Sequence, residues 1–295
     1  MSGRPLAVIG ASGQVARALA RQGQLRGLPI AVGGRPDVDL NSTQSITAFL
    51  DTAAPSLVIN AAAYTAVDKA ETDLVAAQAL NVEGPARLAA WCASRGVPLM
   101  HISTDFVFDG AKCSPYREDD VRNPLSAYGR TKSDGEDAVR AVLPEHIILR
   151  TAWVYSADGN NFLKTMLRLG AEREVVRVVA DQAGTPTTAD DIAITLLDMA
   201  AAIESKRVAS PWGTYHFVAG GQTTWHGFAA EIFAEAAALG MKTPKLEAIT
   251  MAEYPLPAVR PSYSVLDTTK IRETFGIAPH PWQTGVAETV RQQAR

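Results

Sequence analysis

Through the first half of the chain, short runs of apolar residues alternate with longer stretches in which apolar positions recur every three or four residues. The short apolar runs at 6–9, 29–32, 57–60, 99–102 and 147–150 predict strands. Between them, the spacing at 13–26, 43–51, 74–94 and 127–142 predicts amphipathic helices. Regular alternation of strand and helix builds βαβ units, so the chain is read as α/β with a doubly wound parallel sheet.

The rhythm loosens after about residue 154. A helix is predicted at 162–170, a strand at 175–179, a helix at 189–203 and a strand at 215–218. Pro186, Pro211, Pro244, Pro255, Pro257, Pro261, Pro279 and Pro281 punctuate this half, as suits loops that shape a pocket on a rigid base. Two units are expected: 1–154, and a smaller mixed α/β lobe over 155–295 from which about 188–218 returns to the first unit. No internal repeat or low-complexity tract interrupts the pattern.

Composition narrows the function classes. Hydrophobic residues make up 47% and charged residues 20% of the 295, ordinary globular usage. No apolar run approaches the roughly 20 residues of a membrane-spanning helix. The four apolar residues before Gly10 are too few for a secretory signal, so a cytoplasmic location is expected. Cys92 and Cys113 stand apart, with neither the pattern of a disulfide framework nor a zinc site, which suits a reducing compartment. A net charge of −3 without a basic run leaves no footprint for nucleic acid or an anionic membrane. Local charge must then serve small ligands.

The first strand runs into Gly10-Ala11-Ser12-Gly13-Gln14-Val15-Ala16 and then a helix. Glycines at such a turn let the backbone approach a pyrophosphate, and the helix N-terminus faces the anion. This makes the sheet Rossmann-type, 1–154 a dinucleotide-binding domain and 155–295 mainly a substrate-binding lobe. At the end of the second strand, Val32-Gly33-Gly34-Arg35 lacks the carboxylate that usually receives the ribose hydroxyls of NAD. The guanidinium of Arg35 favours a 2′-phosphate, hence NADPH over NADH, although a solvated surface arginine explains it nearly as well. Asn60-Ala61-Ala62-Ala63-Tyr64-Thr65 closes the third strand with small residues, suiting either a flat ligand or a closely packed helix.

In Tyr128-Gly129-Arg130-Thr131-Lys132, spacing i, i+4 puts a phenol and an ammonium on one helix face. A phenol with a pKa of about 10 exchanges protons poorly at neutral pH unless its phenolate is stabilised. The lysine and a nicotinamide can do that, while Thr104, in His101-Ile102-Ser103-Thr104-Asp105, can bond both phenol and substrate carbonyl. Catalysis is therefore assigned to Tyr128, Lys132 and Thr104. His101 and His216, within predicted strands, read as structural. Trp153, Trp225 and Trp282 can simply fill a lobe boundary, and only Trp153, at the carboxyl edge of the sheet, is assigned to a site.

Six segments together resemble the extended short-chain dehydrogenases/reductases, and within them the dTDP-4-dehydrorhamnose reductases. They are the glycine turn, residues 60–71, 103–108 and 150–155, Gly159-Asn160-Asn161-Phe162, and 181–187. The likeness continues through residues 223–226 and Arg260-Pro261 to Trp282-Gln283.

The resemblance implies reduction of the C4 ketone of dTDP-4-dehydro-L-rhamnose to dTDP-L-rhamnose, the last step of dTDP-rhamnose synthesis. Tyr128 is then the proton donor and Lys132 its activator. Cofactor contacts are implied at Gly10, Ser12, Gly13, Gln14, Val15, Arg35, Asp39, Leu40, Ala62, Ala63, Tyr64, Thr65, Tyr128 and Lys132. Substrate contacts are implied at Thr104, Asp105, Trp153, Asn161 and Arg260, the last for the diphosphate. Two departures stand out: Ala16 replaces a frequent glycine, and Gly33 stands where an acidic ribose ligand is common. Some relatives are magnesium-linked dimers, so Mg2+ and a homodimer join the expectations, without assigned metal ligands. The related 4,6-dehydratases follow the equivalent threonine with an Asp-Glu pair, whereas here Asp105-Phe106 offers no second carboxyl. Epimerases and a non-catalytic NAD(P)-binding regulatory subunit share the cofactor domain and remain alternatives.

Overall fold

Four-residue runs such as Leu-Ala-Val-Ile cannot leave their side chains in water, and they form the centre of a sheet. The computed structural model describes residues 3–294. Strand β1 (Leu6–Ile9) passes through the glycine turn into α1 (Gln14–Leu25), followed by β2 (Ile30–Gly33), α2 (Thr43–Ala53) and β3 (Leu57–Asn60). Short helices α3 (Val67–Ala70) and α4 (Leu74–Gln78) lead through a π-turn at Ala79–Glu83 into α5 (Gly84–Arg95). Next come β4 (Leu99–Thr104), a 3-10 turn at Asp105–Val107, α6 (Ala127–Val142) and β5 (His146–Thr151).

The second half begins with β6 (Val154–Tyr155), α7 (Phe162–Glu172), β7 (Val175–Val179), β8 (Ala183–Gly184), β9 (Thr187–Thr188) and α8 (Ala189–Glu204). It continues with β10 (Gly213–His216), β11 (Thr223–Thr224), α9 (Trp225–Ala238), β12 (Lys245–Ile249), α10 (Thr269–Phe275) and α11 (Trp282–Gln293). Periodicity does not predict α9, α11 or β12.

Six parallel strands lie in the order β2-β1-β3-β4-β5-β10. The chain steps outward from β1 to β2 and then returns to β3 on the other side. This reversal opens a crevice at the carboxyl ends of β1 and β3, where open α/β sheets bind ligands. On one face Leu19 of α1 and Ile192, Leu196 and Met199 of α8 pack with Val8, Ile59 and Leu149. On the other, Leu50, Leu88, Cys92 and Val139 cover Ala7, Ile9 and Val58. A separate core joins α7, α9 and α11 with β7 through Leu163, Phe228, Ile232, Val286 and Val176. The fold is thus mixed α/β around a parallel Rossmann-type sheet. Among the described residues, no helix is long and apolar enough to cross a membrane.

Candidate active site

At the crevice, Gly10 has φ +118° and a Cβ there would stand 2.9 Å from Ala62 N, so the glycine turn rests directly on the chain leaving β3. Gly13 begins α1 without any side-chain cap, which leaves the first N–H groups of a 12-residue helix open to an anion. Ser12 is exposed, Val15 half-buried, and Ala16 fully buried. The Gln14 side chain is already engaged: its Oε1 accepts from Ser156 Oγ at 2.9 Å and from Asn161 Nδ2 at 3.0 Å. Asn161 also caps α7, accepting from Lys164 N at 3.1 Å. Its Nδ2 thus ties the glycine turn to the second lobe, while its Oδ1 is taken up by the α7 cap.

Gly33 has a packing reason for lacking a carboxylate. A Cβ there would lie 2.8 Å from the Phe49 ring and 2.9 Å from Val38. Arg35, two residues on, is exposed and among the described residues makes no hydrogen bond or ion pair. Asp39 closes a local turn, its Oδ1 accepting from Asn41 N at 3.0 Å, while Leu40 is buried and its carbonyl accepts from Arg87 at 3.1 Å.

After β3, Ala62 and Ala63 are half-buried and Thr65 is exposed. Asn81, in the π-turn, clamps Tyr64 by accepting from its N at 2.8 Å and donating to its carbonyl at 3.1 Å. It also donates to Thr131 Oγ1 on α6 at 3.1 Å, which ties the cofactor side of the crevice to the Tyr128 helix. The Tyr64 hydroxyl itself bonds Asp73 at 3.1 Å. Nothing in the helical spacing of 74–94 marks Asn81, because a π-turn inserts one residue without breaking the run.

Ser126 caps α6 by accepting from Gly129 N at 3.1 Å and so fixes where Tyr128 and Lys132 emerge. Both are buried, Tyr128 at 9% and Lys132 at 2% exposure. Burial and then the Asp105 charge push the Tyr128 phenol up to about 12, with the Thr104 hydroxyl, in hydrogen-bonding reach, opposing the rise. Thr104 Oγ1 donates to Asp105 Oδ1 at 2.9 Å and accepts from Phe106 N at 3.2 Å. Burial raises the Asp105 carboxyl to about 6, against the bonds from Ser264 and Thr104, and its Oδ2 has no hydrogen-bond partner. Such a buried orphan oxygen is suited to a ligand hydroxyl. Lys132 Nζ donates to Ile102 O at 2.7 Å and lies 3.3 Å from His101 Nε2, and burial lowers it to about 8 although Glu136 opposes this. His101, read from sequence as structural, is thus in contact with a candidate catalytic amine.

Trp153 takes φ +47°, in the left-handed region that non-glycine residues rarely adopt, and stacks on Trp225 with centroids 3.7 Å apart and planes 9° from parallel. Arg260 is held by Asp68 through a bidentate pair at 2.9 and 2.7 Å, an engagement absent from the expectation of a diphosphate contact. His216 lies 3.2 Å from Arg150 and is pushed down to about 3 by burial. For Mg2+ there is no matching site: among the described residues no group of three or more His, Cys, Asp or Glu could hold a metal ion.

The sequence matches the family described as the RmlD substrate binding domain over residues 4–295. It is 43% identical over 285 residues to the dTDP-4-dehydrorhamnose reductase of Sinorhizobium fredii, covering 97% of this chain and 96% of the relative. A dTDP-4-dehydrorhamnose reductase structure from Clostridium acetobutylicum superposes with a TM-score of 0.89 at 38% identity, covering 97% of this chain and 98% of that one. Another, from Bacillus anthracis in complex with NADP, gives 0.91 at 31% identity and covers 98% and 99% of the two chains.

Proposed function

The chain belongs to the family of the RmlD substrate binding domain, and from that membership we propose that it reduces dTDP-4-dehydro-L-rhamnose to dTDP-L-rhamnose with NADPH or NADH. What supports this most is one juxtaposition: Tyr128 and Lys132 buried on α6, with Thr104 beside the phenol, at the carboxyl edge of a sheet whose first turn is open to a pyrophosphate.

When bound, the nicotinamide supplies the hydride. Tyr128 and Thr104 hold the C4 carbonyl oxygen, and Tyr128 gives that oxygen its proton as negative charge develops. Because burial makes a phenolate costly here, the proton leaves readily only while a cation stands near, and Lys132 supplies it. Asp105 Oδ2 accepts a sugar hydroxyl, and Trp153 offers a flat face to the sugar ring. Phe106 packs its ring edge-on against Tyr128 at 5.5 Å and has no proton to exchange, which favours reduction over elimination. The unpaired Arg35 favours NADPH. Arg260, with N–H groups left beyond its pair with Asp68, serves the diphosphate.

The test is cofactor oxidation on adding dTDP-4-dehydro-L-rhamnose to the purified protein. One NADPH should be consumed per ketosugar, and Tyr128→Phe should turn over about a hundredfold more slowly with cofactor affinity nearly intact. Absence of oxidation with both cofactors would overturn the activity. Near-normal turnover by Tyr128→Phe would overturn the donor, and a strong preference for NADH the role of Arg35.

A further inference from the structure

On the strand side of Lys132, buried polar groups form a chain whose hydrogen positions follow from geometry. Ala62 N can only donate, and it lies 3.1 Å from Asn60 Oδ1, which fixes the orientation of that amide. Asn60 Nδ2 is then the atom 3.0 Å from His101 Nδ1. An amide nitrogen only donates, so Nδ1 must present a lone pair, and the neutral ring carries its proton on Nε2. That Nε2 stands 3.3 Å from Lys132 Nζ, which also donates to Ile102 O at 2.7 Å. Asn60 and His101 are 0% exposed and Lys132 2%, so water does not soften the encounter. An ammonium at Nζ sets N–H against N–H. A neutral amine offers its lone pair to Nε2–H and still bonds Ile102 O.

We propose that His101, locked by Asn60 with its proton on Nε2, is a positioning residue that keeps Lys132 a ready proton exchanger instead of a permanent ammonium. This rests on the reading of Tyr128 as proton donor. As the substrate oxygen takes the phenol proton, Tyr128 is left needing one, and the proton that replaces it is drawn from Lys132, one turn along α6. The amine so formed accepts the Nε2–H hydrogen bond and regains its proton from solvent, so each turnover consumes one proton.

The surrounding charges leave room for this. Glu136, one turn further along α6, is occupied by Arg150 of β5 at 2.8 Å on each oxygen, by Arg140 of α6 at 2.8 Å and by Ser103 of β4 at 2.6 Å. Arg122 also lies 3.5 Å from Glu136, and β3 presents only the uncharged Asn60 to His101. Burial, then the Lys132 charge, holds His101 well below its ordinary range, consistent with a neutral ring.

Asn60→Asp is the sharpest test. A carboxylate still accepts from Ala62 N but now also accepts from Nδ1–H, so the ring proton moves and an Nε2 lone pair faces Lys132, which then stays ammonium. Reduction needs a protonated donor, so wild-type turnover falls as pH rises through the Lys132 titration. In Asn60→Asp, and in His101→Phe, which removes the N–H, that fall should move up by about one pH unit or more. Nitrogen-15 NMR of histidine-labelled wild type should show His101 Nδ1 unprotonated and Nε2 protonated. Folded variants whose pH fall stays or moves down would overturn the proposal, as would a proton found on Nδ1. If neither variant folds, the NMR assignment decides. Retained turnover by Tyr128→Phe would instead sink the donor assignment, which the ring assignment does not depend on.

Discussion

Lys132 and Glu136 sit one turn apart on α6, both inside the protein, and they have opposite fates. Glu136 is 0% exposed, yet Arg150, Ser103 and Arg140 overcome its burial and hold the carboxyl down at about 2. Lys132 has one carbonyl and an imidazole beside it, and burial draws its ammonium down to about 8. Burial with full pairing makes a fixed charge that braces β4 against β5. Burial with meagre pairing makes a group whose proton is loosely held, which is what proton transfer near neutral pH requires.

The largest break in that contrast is Glu136→Gln, which strands Arg150 without its counter-charge and should cost about 3–5 kcal/mol in denaturant unfolding. The sign with pH follows from the same pairing. A carboxyl ordinarily at 4.5 but held at about 2 stabilises the fold above about pH 4.5 and loses that contribution as pH falls through 2. The variant should lack this acid limb, and a limb of unchanged size would refute the pairing as its source.

Next in size and opposite in sign, Lys132→Met should gain about 1 kcal/mol at neutral pH, since relief from burying the charge exceeds the hydrogen bonds lost. An amine lowered from 10.5 to about 8 leaves the folded state with fewer protons, so wild-type stability climbs between those values and the variant's should not. A less stable Lys132→Met protein would show that Lys132 is braced like Glu136. The smallest effect belongs to Arg140→Ala, because that guanidinium is 28% exposed: a loss of about 0.5 kcal/mol, read by the same unfolding titration.

Strands β1, β3, β4 and β5 and helix α6 are legible in the sequence because each has the burial its pattern requires, as LAVI does on both faces, whereas β2, at the sheet edge, buries only Gly33 and is legible from its apolar run alone. Helix α9 is not, since WHGFAAEIFAEAAA lies among α7, α11 and β7 and has apolar residues on most sides, which blurs its stripe. Strand β12 is short and half polar, recognisable only through its pairing with β7. Among site residues, Tyr128 and Lys132 announce themselves by spacing and Gly10 by its turn. His101 and Lys132 are 31 positions apart, Arg260 and Asp68 192, and only the strand order brings each pair together. Arg260 could be recognised as a cation from sequence, but not as one already claimed.

The wide turn at Ala79–Glu83 also sets how one continuous rod serves two neighbours. Each helical residue advances the surface by roughly 100°, so winding in one more swings the inward stripe of α5 away from that of α4. Ala77 therefore leans on Ala127 and Tyr128 at the near end of α6, while Leu88 and Cys92 look toward Leu50 and Val139. Trimming that surplus residue would turn one of the two ends of the rod toward the wrong wall.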